Sequence, residues 1–193
     1  MIVLVLPDVP VEDLLLAQAR QGDQDAIMHI YESYFPPIYQ FIRLRVADPH
    51  QAEDLASEVF VRFIESIRKR KAPRTSLRGW LFRVARNLLY HHYGKSRQFP
   101  VTTLEDWMPI PPEDDTESGF LRTFDVERTR KALRMLAAEQ QEVLILRFGQ
   151  TLSLEETADI MDKSVSAVKS LQFRAVNTLR QILGESKVQA DHG

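Results

Sequence analysis

Apolar residues recur at three- and four-residue spacing along most of the chain, while strict alternation is scarce. That pattern predicts helices and almost no strand. The spacing places helices near residues 11–21, 24–47, 51–70, 77–97, 125–137, 140–148, 153–161 and 165–183, the second kinked or broken at Pro36-Pro37. Between Phe99 and Gly119 the pattern fails: four prolines and a glycine sit among acids, the composition of an extended linker. Trp107 and Met108 suggest that this linker touches something apolar along its path. The expected class is all-α, with a tail at 1–10, a helical domain at 11–98, an acidic Pro-rich linker at 99–123, a second helical domain at 124–184 and a tail at 185–193. No internal repeat is evident.

The third helix opens with Asp48-Pro49-His50-Gln51, a cap and first turn suited to orphan amides. Ala52, Leu55, Ala56, Val59, Phe60, Phe63, Ile64 and Ile67 form its apolar stripe. Asp54, Ser57, Glu58, Val61, Arg62 and Glu65 fall on the opposite face, which could be a docking surface or simply a solvated one.

On the fourth helix, at about 100° per residue, Leu77, Trp80, Leu81, Val84, Ala85 and Leu88 share one side. Arg83, Arg86, Asn87, Tyr90, Tyr93 and Arg97 share the other. Cations interleaved with aromatic rings suit single-stranded nucleic acid, because guanidiniums neutralise phosphates and rings stack on bases. A basic helix with tyrosines is also compatible with a protein interface or plain solvation. The preceding loop adds Lys69, Arg70, Lys71 and Arg74, which could clamp phosphates or belong to an ordinary turn.

Net charge is −2, which taken alone argues against a nucleic-acid partner. Its distribution reverses that inference: no acid interrupts the basic residues from Arg68 to Arg97, whereas the linker that follows is acidic. Cysteine is absent, so no disulfide or thiolate metal site is expected. The five histidines show no metal spacing, and the chain is expected to need no metal, cofactor or nucleotide and to have no catalytic residue. The apolar start Met1 to Leu6 is too short for a membrane span and lacks the basic flank of a signal peptide.

Ser153-Leu-Glu-Glu156 reads as a capping box, and Asp162-Lys163 as a turn before a helix capped by Ser164. Leu154, Thr157, Ala158 and Met161 are expected to point inward from the first helix, and Val168, Leu171, Ala175, Leu179 and Ile182 from the second. Ser166, Lys169, Ser170, Phe173, Arg174 and Asn177 then face outward. This is the layout of a helix-turn-helix whose second helix enters the major groove, although any helical hairpin could share it.

Ala52 to Arg62, Arg78 to Leu88, and Leu154 to Met161 with Ser166 to Ser170, in this order and spacing, resemble the extracytoplasmic-function (group IV) sigma factors of bacterial RNA polymerase. The resemblance runs from about Val11 to Leu183. It implies a σ2-like bundle and a σ4-like helix-turn-helix domain, in a cytoplasmic protein that is not an enzyme. It implies core polymerase (clamp and flap) and promoter DNA as partners, leaves room for an anti-sigma factor, and involves no membrane. Asp54, Ser57, Glu58 and Val61 would meet polymerase. Lys69, Arg70, Lys71, Arg74, Arg83, Arg86, Asn87, Tyr90 and Tyr93 would meet the unwound −10 strand. Arg147, Ser166, Lys169, Ser170, Phe173, Arg174 and Asn177 would meet the −35 duplex. Leu171-Gln172-Phe173 departs from the family's usual residues, and Ser166 stands where glycine is common. The alternative is a free-standing helix-turn-helix regulator, which would normally dimerise and would leave the Arg/Tyr face without a purpose. A metal-dependent nuclease is disfavoured because Asp114 and Asp115 lie in the linker.

Overall fold

The computed structural model describes residues 6–43, 45–73, 76–93, 128 and 131–190, with 93 and 185–190 by backbone alone. All regular structure among them is helical. Helices α1 (Val9–Arg20), α2 (Gln24–Arg43), α3 (Pro49–Arg68) and α4 (Leu77–Tyr93) pack as one bundle. Residues 131–134 are helical, followed by α5 (Ala138–Leu144), a π-turn (Ile145–Gly149), α6 (Leu154–Met161) and α7 (Val165–Ala190). The linker expected at 99–123 lies outside the described residues.

The bundle forms because each helix carries one wide apolar stripe. Ile30, Tyr34, Ile38, Phe41 and Ile42 of α2 are wholly buried against Val59 and Phe63 of α3 and Leu77, Leu81, Phe82 and Leu89 of α4. Phe41 meets Phe82 edge-on at 5.4 Å and Phe63 meets Trp80 at 5.9 Å. Each such side chain contributes on the order of 1.5–3 kcal/mol through burial. Of the expected kink or break, no break occurs: α2 runs through Pro36 and Pro37. Two prolines remove backbone donors there, but Pro37 is itself buried and core residues flank it on both sides, so packing overrides local propensity. The helix instead stops at Arg43, short of the expected 47, where Arg43 donates to the carbonyls of Val46 (2.6 Å) and Ala47 (2.8 Å).

A buried carboxylate ties three of these helices together. Glu12 of α1, 2% exposed, accepts from the Tyr34 hydroxyl (2.6 Å), the Leu77 and Arg78 amides (2.7 and 3.2 Å) and Arg78 Nε (2.6 Å). Its charge thus sits at the N-terminus of α4, where orphan amides and the helix dipole favour an anion. Arg78 also donates to the Pro7 carbonyl, pinning the chain ahead of α1. Burial opposes the charge on Arg78, but its bond to Glu12 and that carboxylate's charge outweigh this and raise its pKa. Burial first, then the bond to Glu12, pushes the Tyr34 hydroxyl well above its ordinary range.

In the second domain Val143, Ile145, Leu146, Leu152, Ile160, Val168 and Ala175 are buried and continue the apolar core of the bundle. The π-turn closes with the Gln150 amide bonded to the Ile145 carbonyl (2.9 Å), and Thr151 just beyond it has φ +51°. A β-branched residue there carries strain. The Gln141 side chain donates to the Leu133 carbonyl (2.8 Å) and joins α5 to the preceding helical turn.

Glu12→Ala should lower unfolding free energy by about 3–5 kcal/mol in urea titration, since it strands the Arg78 guanidinium and the α4 amides. Because folding raises the Tyr34 pKa, its neutral form favours the native state. That stability is complete below about pH 10 and is lost as pH rises further. Alkaline unfolding curves should show this decline, flattened in Tyr34→Phe.

Candidate nucleic-acid and polymerase interfaces

On α3 the predicted stripe is buried from Ala52 to Phe63, with Ile64 and Ile67 half-buried. Asp48 caps the helix, its side chain accepting from the His50 amide. Asp54 and Val61 are exposed on the outer face, with Ser57 and Glu58 half-buried beside them. Glu58 bonds Arg62 one turn on (2.9 Å), and Val61 is 49% exposed. The face is therefore acidic with one apolar point.

The basic loop begins in a Schellman-like ending of α3: the Lys71 amide bonds to the Ser66 carbonyl (2.8 Å) and Arg70 adopts φ +54°. An arginine thus occupies a position that glycine usually fills. Lys69 pairs with Glu65 (2.8 Å), whose carboxyl that bond and charge hold below the usual range. Lys71 is exposed, while Arg74 lies outside the described residues. Ser76 then caps α4, accepting from the Gly79 amide (3.0 Å). A Cβ on Gly79 would lie 3.2 Å from the Ser76 hydroxyl, so glycine keeps this cap open.

The polar side of α4 departs from expectation. Arg83 and Asn87 are exposed, but Arg86 is 7% exposed and Tyr90 half-buried, because the second domain packs on them. Arg86 was expected to face outward, since periodicity separates a helix's faces without showing what later elements cover. The Tyr93 side chain lies outside the described residues. Glu142 of α5, wholly buried, accepts from Arg45 Nη2 (2.7 Å), Arg86 Nε (3.1 Å) and the Tyr90 hydroxyl (2.9 Å). Arg86 lies 4.3 Å and Arg45 5.1 Å from the Tyr90 ring centroid. Burial, then the Glu142 charge, raises the Tyr90 pKa. Nearer the N-terminus of α4, Ser76 donates to Glu156 of α6 (2.8 Å) and Arg83 pairs with Asp159 (3.0 Å). The Arg83–Asp159 pair is exposed and worth about 1 kcal/mol or less. Sequence reasoning missed Arg45 and Glu142; their only signal was an arginine and a glutamate at positions flanked by core residues.

The helix-turn-helix forms as predicted. Ser153 Oγ accepts from the Glu156 amide (3.0 Å) and Glu156 accepts from the Ser153 amide (2.8 Å), closing the capping box. Asp162 ends α6 at φ +55°, a conformation its short polar side chain tolerates. Ser164 caps α7 by accepting from the Ala167 amide (3.2 Å) and shares a hydrogen bond with Ser166 (3.0 Å). Lys169, Ser170, Phe173 and Arg174 are exposed, Phe173 at 68%, while Asn177 is half-buried. Backbone and Ser153 hydrogen bonds, more than the nearby Lys169 charge, hold the Glu155 carboxyl low. Arg147 donates from Nε to Gln172 (3.1 Å) and from Nη1 to the Leu152 carbonyl, bracing the π-turn against α7.

No cluster of metal ligands occurs among the described residues, and no helix among them is long and apolar enough to cross a membrane.

Comparison with known proteins gives these surfaces a common setting. Sigma-70 region 2 matches residues 30–99, and Sigma-70 region 4 matches residues 132–181. The ECF RNA polymerase sigma factor BldN of Streptomyces coelicolor is 37% identical over 170 residues, covering 88% of this chain and 64% of BldN. The chain thus spans a little under two thirds of that relative. SigX of Bacillus subtilis, also an ECF RNA polymerase sigma factor, is 29% identical, with 82% of this chain and 84% of SigX covered. CnrH, solved in complex with the cytosolic domain of CnrY, shares the fold at a TM-score of 0.64 and 20% identity, with 91% of this chain and 98% of CnrH covered. The chain belongs to the sigma-70 family of RNA polymerase sigma factors, in its extracytoplasmic-function group.

Replacing Arg147 by methionine should lower stability of the second domain while leaving the slope of log affinity for duplex DNA against log salt unchanged. A slope smaller by about 1 would instead mark Arg147 as a phosphate contact.

Proposed function

We propose that the chain joins core RNA polymerase and directs promoter-specific initiation, reading a −10 element with its first domain and a −35 element with its second. The observation that carries this is the presence, in one chain and in family order, of a region 2 bundle with an acidic outer face on α3 and a region 4 helix-turn-helix. The domain limits proposed are 11–98 and 124–184, the intervening 99–123 serving as linker.

Asp54, Ser57, Glu58 and Val61 dock on a basic surface of the polymerase clamp, with Val61 supplying the apolar centre of the contact. Lys69, Arg70, Lys71, Arg74, Arg83, Arg86, Asn87, Tyr90 and Tyr93 hold the displaced −10 strand by phosphate neutralisation and stacking. On α7, Ser166, Lys169, Ser170, Phe173, Arg174 and Asn177 face the −35 groove. Lysine and arginine can reach guanine or phosphate, and Phe173 can pack on a thymine methyl. Arg147, two of its donors already used inside the domain, braces this recognition face against the π-turn.

The chain performs no chemistry of its own and uses no cofactor; strand separation costs a few kcal/mol per step, offset by base capture and polymerase contacts. It works in the cytoplasm, where polymerase and promoter are. An anti-sigma factor is the proposed third partner, in keeping with the binding of CnrH to the cytosolic domain of CnrY.

Run-off transcription with core enzyme and a genomic promoter library tests the reading. The chain should confer initiation at discrete sites, and core enzyme that gains no promoter selectivity would return the chain to the free-standing regulator alternative. Arg174→Ala should weaken −35 duplex binding by roughly 1–3 kcal/mol in a fluorescence titration. Unchanged affinity would remove Arg174 from the recognition face.

A further inference from the structure

The basic loop between α3 and α4 is fastened to the bundle at its entry, its middle and its exit. At the entry the Lys71 amide bonds to the Ser66 carbonyl (2.8 Å) and Arg70 is held at φ +54°, a conformation an arginine keeps only where its surroundings fix it. At the exit Glu12 of α1 accepts from the Leu77 and Arg78 amides (2.7 and 3.2 Å). In the middle, Arg20 of α1 donates from Nη2 to the carbonyl of Pro73, which is buried. The proline ring fixes φ and the guanidinium holds the carbonyl, so the direction in which the chain leaves Pro73 is set from both sides. Arg20 is itself aimed by the end of its helix. The Gly22 amide bonds to the Ala19 carbonyl (2.9 Å) and the Asp23 amide to the Gln18 carbonyl (3.2 Å), with Gly22 at φ +87°, a Schellman ending that leaves Arg20 in the last turn. No part of α1 belongs to the matched family region, which begins at residue 30.

We propose that Arg20 is a positioning residue for −10 recognition. Helix α1 holds the basic loop in the shape in which it meets the displaced strand, with Arg20 at its middle and Glu12 at its exit. The proposal rests on the strand-binding reading of that loop given above, and it gives α1 a part in promoter specificity. A loop shaped before the strand arrives has little backbone freedom left to lose on binding. It also presents its side chains to one place, and base discrimination depends on that precision. Arg20 acts through Pro73 and touches no base, so its loss should blur the reading of sequence more than it weakens attraction to phosphate.

The test uses holoenzyme assembled from the full chain and core polymerase, on a promoter it selects from the genomic library. Open-complex formation is measured on that promoter and on each single substitution across its −10 and −35 elements. Arg20→Met keeps the length of the side chain and removes its donors; Arg20→Ala is the second variant, free of an exposed apolar side chain. Either should lower discrimination by about tenfold at one or two adjacent −10 positions, the loss expected when one base contact is displaced. Discrimination at −35 and the urea midpoint should stay as in the unaltered chain. Arg20→Lys, which can donate to the same carbonyl, should restore most of the −10 discrimination. A merely structural role would slow initiation on every promoter alike and leave the ratios intact, and that result overturns the proposal. Intact ratios with a salt slope for strand binding smaller by about 0.7 also overturn it, by marking Arg20 as a phosphate contact. Lys71→Ala combined with Arg74→Ala tests the reading beneath. If that double variant keeps the −10 ratios, the loop does not read the strand, and the proposal falls with that reading. If it lowers them while both Arg20 variants leave them unchanged, the strand-binding reading stands and the proposal alone is wrong.

Discussion

Helix α4 contains no acidic residue, yet Arg78 and Arg86 are buried within it. A guanidinium cannot shed its proton to escape that cost, so carboxylates must be brought from elsewhere. Glu12 supplies one from α1 and completes the amides at the start of the helix. Glu142 supplies another from α5 and shares it with Arg45 and Tyr90. The first joins the helices of the bundle; the second joins the two domains. Much of the architecture follows from the need to place these two anions beside a helix that carries cations and no acid of its own.

The rest of the fold is organised by ordinary burial, and it was largely legible. Stripes at helical spacing marked the inner faces of α3 and α7, and the capping residues Asp48, Ser153 and Ser164 marked where helices begin. These signals are local, each needing only a few neighbouring residues to be decided. The failure at Pro36-Pro37 has the opposite origin. Local propensity argued for a break, whereas the buried residues on either side, Tyr34 and Ile38 among them, keep the helix packed against α3 and α4.

The surfaces were legible in proportion to their dependence on a single helix. The outward set on α7 and the acidic face of α3 could be assigned from one periodicity. The cation and tyrosine face of α4 could be recognised as polar, but not as covered, because the covering residue lies 56 positions from Arg86 and 97 from Arg45. Glu12 was hidden for a related reason. An acid in the first turn of an amphipathic helix looks like a solvated favourable charge, and only the packed bundle reveals it as the anion beneath another helix.

The distance along the chain between these partners has a consequence during synthesis. Domains fold as the amino-terminal part emerges from the ribosome, and the four-helix bundle can assemble once its own residues are free. Glu142 and Asp159 are translated well after Arg83 and Arg86, so the nascent bundle forms before these two arginines meet their carboxylates, whereas Arg78 already has Glu12. The acids written latest into the chain are those that complete the charge pairing of this helix, and a product truncated before residue 142 would lack Glu142 and Asp159 while keeping Glu12.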